Sequence, residues 1–319
     1  MPSIAQKPPS RFTLGSVQFG LEYGVANRHG RPTYPTVREI IGEACQGGVD
    51  VIDTAPYYGE SEEWIGRALD DLRMRDRVRV MTKVEVLPPD LSRQDAARRI
   101  EASVTLSLRR MGLERLPVCL FHREDNIQYA DELLALTARG LIEAAGVSLV
   151  HPEFGWKTLK IPEFKVFQIA TNVLDRRYTH SGLTEAAKTA GVAVFVRSVY
   201  LQGLLLMDDA ATPPFLRGVI PSRQKVREVA SRFGLPMSEL LMRAILSRTD
   251  VSSIVVGVET TAQIRENLAH FAKGPLPGEV VSALAALRPD LPEFIVVPPD
   301  WDKAKASFEQ KQNPIAPPS

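Results

Sequence analysis

Short apolar runs rich in Val, Ile and Phe alternate along most of this chain with longer stretches in which apolar positions recur every three or four residues. The first pattern suits a strand buried on both faces and the second an amphipathic helix. Their alternation predicts βα units around a parallel sheet. Strands are expected over 12–18, 49–55, 77–83, 116–122, 143–149, 164–170, 192–198 and 252–257. Helices are expected over 36–47, 60–72, 92–111, 127–139, 151–159, 180–190, 223–247 in two pieces, and 261–271.

Local signals agree with these boundaries. Ser92 stands three residues before Asp95 in a capping spacing, and Gly112 and Gly191 follow helices. Pro88-Pro89, Pro213-Pro214 and the Pro-rich 273–278 stretch fall between elements, where proline interrupts no hydrogen-bond ladder. Eight βα pairs in one chain of 319 residues predict an α/β fold, a single-domain (β/α)8 TIM barrel. The barrel is expected over 12–290, with an N-terminal extension at 1–11 and a C-terminal tail at 291–319. A further helix is expected near 278–288. The end of the chain from Pro298, with its closing Pro314-Ile315-Ala316-Pro317-Pro318-Ser319, is expected to be mobile.

Composition removes several classes of function. The 39 basic and 38 acidic residues give a formal net charge of +1, and Lys and Arg are scattered rather than striped, so nucleic acid is not an expected partner. The first residues lack an apolar targeting core and no segment approaches membrane-spanning length, so a cytoplasmic protein without a membrane partner is expected. Cys45 and Cys119 have no redox or metal spacing and read as buried thiols.

Three strands end on residues that carry chemistry. Val49-Asp50-Val51-Ile52 runs into Asp53-Thr54-Ala55-Pro56-Tyr57-Tyr58-Gly59-Glu60-Ser61-Glu62. The strand from Arg77 finishes on Lys83, and the one from Leu116 on His122. If these strands are parallel neighbours, an acid, a phenol, an ammonium and an imidazole leave the same end of a barrel, where barrel enzymes carry their active sites. Each residue has a plainer reading: Asp53 as a turn cap, Lys83 as a lysine stem lying on apolar surface, His122 as a core histidine. Their coincidence favours a site. His29, His151, His180 and His270 form no metal-ligand spacing and no G-x-G-x-x-G occurs, so neither a metal centre nor a Rossmann domain is expected.

On these residues the chain resembles the aldo-keto reductases, nicotinamide-dependent (β/α)8-barrel oxidoreductases, over about residues 12–272. The resemblance rests on Asp53-Thr54-Ala55 with Tyr58, Thr82-Lys83, Phe121-His122, Gly146-Val147-Ser148, the run from Gln168 to Arg176, Leu201-Gln202-Gly203-Leu204, and Glu266-Asn267. It implies reduction of an aldehyde or ketone, such as a sugar or aldose derivative, to an alcohol by hydride transfer. Tyr58 would be the proton donor, since a phenol with an ordinary pKa near ~10 holds its proton at pH 7. Lys83 would favour the phenolate, Asp53 would hold Lys83, and His122 would orient the carbonyl oxygen.

The resemblance also implies cofactor contacts. Ser148 and Gln168 would take the nicotinamide carboxamide, with Asp53, Gly15, Ser16 and Val17 beside it. Ser198, Leu201, Gln202 and Gly203 would wrap the pyrophosphate, and Gly257, Glu259, Gln263, Glu266 and Asn267 would hold the adenosine. NADP(H) is the expected cofactor, with NAD(H) open. Three positions depart from the common pattern. Leu149 replaces an Asn, Arg197 stands where an aromatic usually stacks on the nicotinamide, and Glu259 stands near the place of a 2′-phosphate ligand. A carboxylate there repels phosphate, although Arg265 or Lys273 could swing in. Arg197 would disfavour the cationic oxidised ring and so favour the reduced cofactor.

Tyr57, Tyr58, His122 and Arg123 are the expected substrate contacts, with Phe19, Tyr23, Tyr200 and Trp301 as further candidates. Two other functional classes are open at this point. One is a nicotinamide-binding, redox-sensing subunit without turnover, like the resembling potassium-channel β subunits. The other is a barrel lyase using Lys83 as a Schiff-base nucleophile.

Overall fold

The computed structural model describes residues 7–312. Eight strands, β1 (Phe12–Gly15), β2 (Val51–Asp53), β3 (Arg79–Val84), β4 (Leu116–Phe121), β5 (Ile142–Leu149), β6 (Phe164–Ala170), β7 (Ala193–Arg197) and β8 (Ser253–Gly257), pair in parallel and in sequence order. The sheet closes where β1 pairs with β8 through Phe12↔Ile254 and Gly15↔Gly257. Helices connect the strands, so the chain is a (β/α)8 barrel.

Period-two alternation sorts each strand between two apolar layers. Val51, Met81, Val118, Leu120, Ala144, Val166, Phe195 and Val255 pack together inside the barrel. Residues one position out of phase, such as Ile52, Val80, Cys119 and Phe167, join the layer beneath the helices. Gly146 permits one tight point of this closure: the pairing of β5 with β6 shifts register at Ala145/Gly146, and a Cβ at Gly146 would lie 2.0 Å from the Val166 carbonyl oxygen.

The helices begin and end on chemistry visible in the sequence. Ser92 Oγ accepts from the Asp95 amide to open Arg93–Met111, and left-handed Gly112 closes it. Thr260 and Gln263 form a reciprocal capping box at the start of Thr261–Ala272.

The end of the chain differs from the expected free tail. Glu293–Val296 and Trp301–Gln312 are helical, and Ile295, Val296, Val297 and Trp301 join an apolar cluster with Leu204, Leu216, Leu240 and Leu284 outside the barrel. Trp301 Nε1 donates to the Ile295 carbonyl, which completes the burial of its indole. Apolar residues separated by polar ones carry this docking, a signal too sparse to distinguish from a solvated helix in sequence. The closing Pro314–Ser319 segment lies outside the described residues. Among the described residues no helix is long and apolar enough to cross a membrane. Cys45 and Cys119 are both buried and unpaired, and burial pushes both thiols up.

Candidate active site

The alternation that fills the barrel also sets its mouth. Two positions beyond Val51, Met81, Leu120, Val166, Phe195 and Val255 on the same inward face come Asp53, Lys83, His122, Gln168, Arg197 and Gly257. All six line one cavity of about 1190 Å³ at the C-terminal end of the strands.

Tyr58 follows β2 by one tight loop, and that loop is fixed by a close approach from the segment after β1. A Cβ at Gly20 would fall 1.7 Å from the Tyr58 carbonyl oxygen, so only glycine fits there. Behind it, Ser61 Oγ lies 2.7 Å from Ser16 Oγ and 3.0 Å from Thr54 Oγ1, a buried hydroxyl network that ties the two loops together.

Lys83 is fully buried, yet its ammonium donates to Asp53 Oδ1 at 2.7 Å and to the Thr54 carbonyl at 2.8 Å. Burial alone would depress Lys83. The Asp53 carboxylate and the Tyr58 phenol outweigh it and hold the ammonium above its ordinary range. Its Nζ sits 5.2 Å from the centroid of the Tyr58 ring. The His122 imidazole is approached edge-on by both Tyr57 and Tyr58, with ring centroids 6.1 Å apart in each case. Burial, reinforced by the positive charges of Lys83, Arg197 and Arg123, pushes His122 down to about 3. The ring is therefore neutral at pH 7, with a buried Nδ1 that has no partner among the described residues.

Two further groups are poised toward the cavity. Gln168 Nε2 donates to Asp53 Oδ1 at 2.8 Å while its Oε1 is buried without a partner. Gln18 Oε1 is likewise unpartnered and lies against Gly257, where a Cβ would meet it at 2.2 Å. Beyond β7, Ser198, Leu201 and Gln202 all have left-handed backbones, with φ of 67°, 51° and 54°, uncommon for residues other than glycine.

The Aldo/keto reductase family model matches residues 11–289. The chain belongs to the aldo/keto reductase family. Within that family it is 26% identical over 267 residues to an L-glyceraldehyde 3-phosphate reductase of Escherichia coli O157:H7, covering 72% of this chain and 77% of the relative. It is 25% identical over 268 residues to an NADH-specific methylglyoxal reductase of Escherichia coli K12, covering 72% and 81%. The fold is shared with an aldo-keto reductase of Bacillus halodurans in its holo form, with a TM-score of 0.73 at 21% identity over 89% of this chain and 94% of that one. As a member of the family, this reductase uses a nicotinamide cofactor and acts on small carbonyl compounds.

Most residues expected at the site of this aldo/keto reductase do line the cavity: Gly15, Ser16, Val17, Ser148, Ser198, Gln202, Gly203, Glu259, Gln263, Glu266, Asn267 and Arg123 join the six named above and Tyr58. Four expected residues stand elsewhere. The Leu201 side chain is turned into the outer apolar cluster by its left-handed backbone. Tyr57 is 53% exposed and lies outside the cavity, its ring edge on His122. Phe19 and Trp301 are core residues.

Arg265 and Lys273, the cations considered for a 2′-phosphate, are engaged elsewhere. Arg265 pairs with Glu39 and Glu43, and Lys273 donates to Glu239 at 2.7 Å. Sequence reasoning did not single out Gln18, Glu124 or His151, all of which line the cavity. Glu124 lies two residues past His122 and His151 three past Ser148, so the strand-end rule that found the other residues also reaches these.

Proposed function

We propose that this chain reduces an aldehyde or ketone to an alcohol with a reduced nicotinamide cofactor, Tyr58 giving the proton. The observation that carries this reading is the Asp53–Lys83–Tyr58 arrangement beside a neutral His122. A charged ammonium fixed within reach of the phenol stabilises developing phenolate, and an uncharged imidazole can donate one N–H to a carbonyl oxygen without adding a net charge. The bound cofactor supplies the hydride. Asp53 keeps Lys83 charged, Lys83 eases proton release from the Tyr58 hydroxyl, and His122 orients the carbonyl so that its oxygen receives that proton.

The residues present fit such a cofactor. Gln168 has its amide nitrogen committed to the Asp53 carboxylate, so its unpartnered Oε1 is an acceptor for a carboxamide N–H. Ser148, paired across from Gln168 in the β5–β6 register, supplies a second hydroxyl contact. Gln202 and Gly203 would serve the pyrophosphate, and Gly257, Gln263, Glu266 and Asn267 the adenosine. Arg197 would lie beside the nicotinamide and penalise its cationic oxidised form.

The preference for NADP(H) expected from the sequence rested on the habit of the resembling family and on Arg265 or Lys273 as phosphate ligands. With both engaged by carboxylates, and Glu259 held toward the site by a 2.7 Å hydrogen bond from Gln263 Nε2, we infer that NADH is the preferred cofactor. A carboxylate accepts from a free ribose 2′-hydroxyl and repels a 2′-phosphate. The NADH-specific methylglyoxal reductase among the relatives accords with this. Fluorescence titration of the protein with NADH and NADPH tests the preference. Aldehyde-dependent loss of reduced-ring absorbance, abolished in Tyr58→Phe, tests the activity.

A further inference from the structure

Glu124 and His151 form a fixed pair on the wall of the cavity that the reduction chemistry above leaves unused. Both follow the same ends of adjacent strands, Glu124 after β4 and His151 after β5. The Glu124 carboxylate is fully engaged. Its Oε2 accepts from the backbone N–H of Val150 at 2.6 Å and of His151 at 2.9 Å, and its Oε1 lies 2.6 Å from His151 Nδ1. A carboxylate accepting two amide hydrogens is an acceptor, so the third contact puts the imidazole proton on Nδ1. In the neutral ring Nε2 keeps its lone pair. The Glu124 side chain is 12% exposed and that of His151 39%, which leaves the carboxylate shielded and the ring accessible from the cavity.

The place of the pair in the barrel indicates what reaches it. In the closed strand order β4 and β5 stand across from β8 and β1, while the residues assigned to adenosine follow β8. Ser148 on β5 is assigned to the carboxamide, and the loops that follow it and β4, opposite the adenosine, are left to the substrate. The C-terminal segment borders the same side: Arg177 donates to the Val150 carbonyl at 3.0 Å and lies 3.7 Å from Glu293, and Asp300 and Lys303 line the cavity. Arg123 on this wall is matched by Asp125 at 3.0 Å, and Glu153, Asp300 and Lys303 also line the cavity. A wall with more carboxylates than cations disfavours a phosphorylated substrate. Hydroxyl groups, which both donate and accept, suit it.

We propose that His151, oriented by Glu124, accepts a hydrogen bond at Nε2 from a substrate hydroxyl, so that the site selects uncharged polyhydroxylated aldehydes over alkyl aldehydes of equal length. This rests on the carbonyl-reduction reading and names its substrate class. It is a specificity role: the proton and hydride steps do not pass through His151.

The test uses the full chain carrying NADH and labelled with ¹⁵N-histidine, at pH 8, as wild type, His151→Phe, His151→Gln and Glu124→Gln. The His151 signals are identified by their loss in His151→Phe. In wild type the proton is expected on Nδ1, and added glycerol shifts the Nε2 resonance. Glu124→Gln is expected to reverse the tautomer, because its Oε1 keeps the two backbone amides and its amide N–H then faces Nδ1. In turnover, His151→Phe raises KM for glyceraldehyde about tenfold relative to propanal with kcat little changed, and His151→Gln retains part of the preference. A wild-type ring protonated on Nε2, or a His151→Phe variant that alters both aldehydes equally, overturns the proposal. If wild type reduces neither aldehyde, the reductase reading fails separately. An Nε2 resonance that glycerol leaves unmoved then overturns this proposal as well.

Discussion

Gln168 donates its Nε2–H to Asp53 Oδ1 at 2.8 Å, and that bond decides which end of its amide faces the cavity. The same Asp53 oxygen also receives Lys83 Nζ at 2.7 Å, so one carboxylate orients both side chains to which the proposed function gives a role. Gln168→Leu removes the cavity-facing acceptor and is expected to weaken NADH binding about tenfold, as loss of one buried hydrogen bond predicts. Fluorescence titration of the variant checks this, and unchanged affinity would detach Gln168 from the cofactor.

The Asp53–Lys83 pair should contribute to stability in an asymmetric way. Asp53→Asn strands a buried ammonium and is expected to cost about 3–5 kcal/mol in urea denaturation. Lys83→Met combined with Asp53→Leu replaces both charges with apolar groups and should cost less than Asp53→Asn alone. A double variant less stable than the single one would mean that the pair is favourable beyond its own desolvation.

His122 has a folded pKa of about 3 against an ordinary 6.5. Its folded value is depressed, so between these limits the unfolded chain binds a proton that the folded chain does not. Its contribution is fully present above about pH 6.5 and diminishes as pH falls toward about 3. Stability measured by denaturation should therefore fall on acidification with a slope that His122→Gln reduces. The same neutrality predicts that kcat carries no limb from His122 near pH 6.5. An identical slope in the variant would contradict the assignment.

Arg197 lines the cavity, and in the proposed function it lies beside the nicotinamide, whose reduced and oxidised forms differ by one charge. NADH is expected to bind more tightly than NAD⁺, and Arg197→Phe should narrow that ratio by about tenfold. Calorimetric titration with both forms measures it. An unchanged ratio in Arg197→Phe would remove Arg197 from the cofactor's surroundings.

What the sequence reveals of this protein depends on how local each signal is. The eight strands were legible because each is a short apolar run bounded by turn residues. The converging residues were legible because a period of two carries Asp53, Lys83 and His122 onto the face occupied by Val51, Met81 and Leu120. The Glu124–His151 pair was not, since it depends on a side chain bonding to backbone amides of the neighbouring strand's loop. Nor was the engagement of Arg265 with Glu39 and Glu43, more than two hundred residues away in the chain. The C-terminal helices escaped notice because their docking face exists only once the segment following β7 has folded.

In the proposed function Tyr58 gives the proton in a nicotinamide-dependent carbonyl reduction. That role is measured by comparing wild type with Tyr58→Phe, each saturated with NADH, while an aldehyde panel is added and the reduced-ring absorbance followed. Aldehyde-dependent oxidation is expected of wild type, and a loss of about a hundredfold or more of the variant, with NADH affinity unchanged. Equal rates in the two proteins, or NADH bound by wild type without oxidation by any aldehyde, would contradict it.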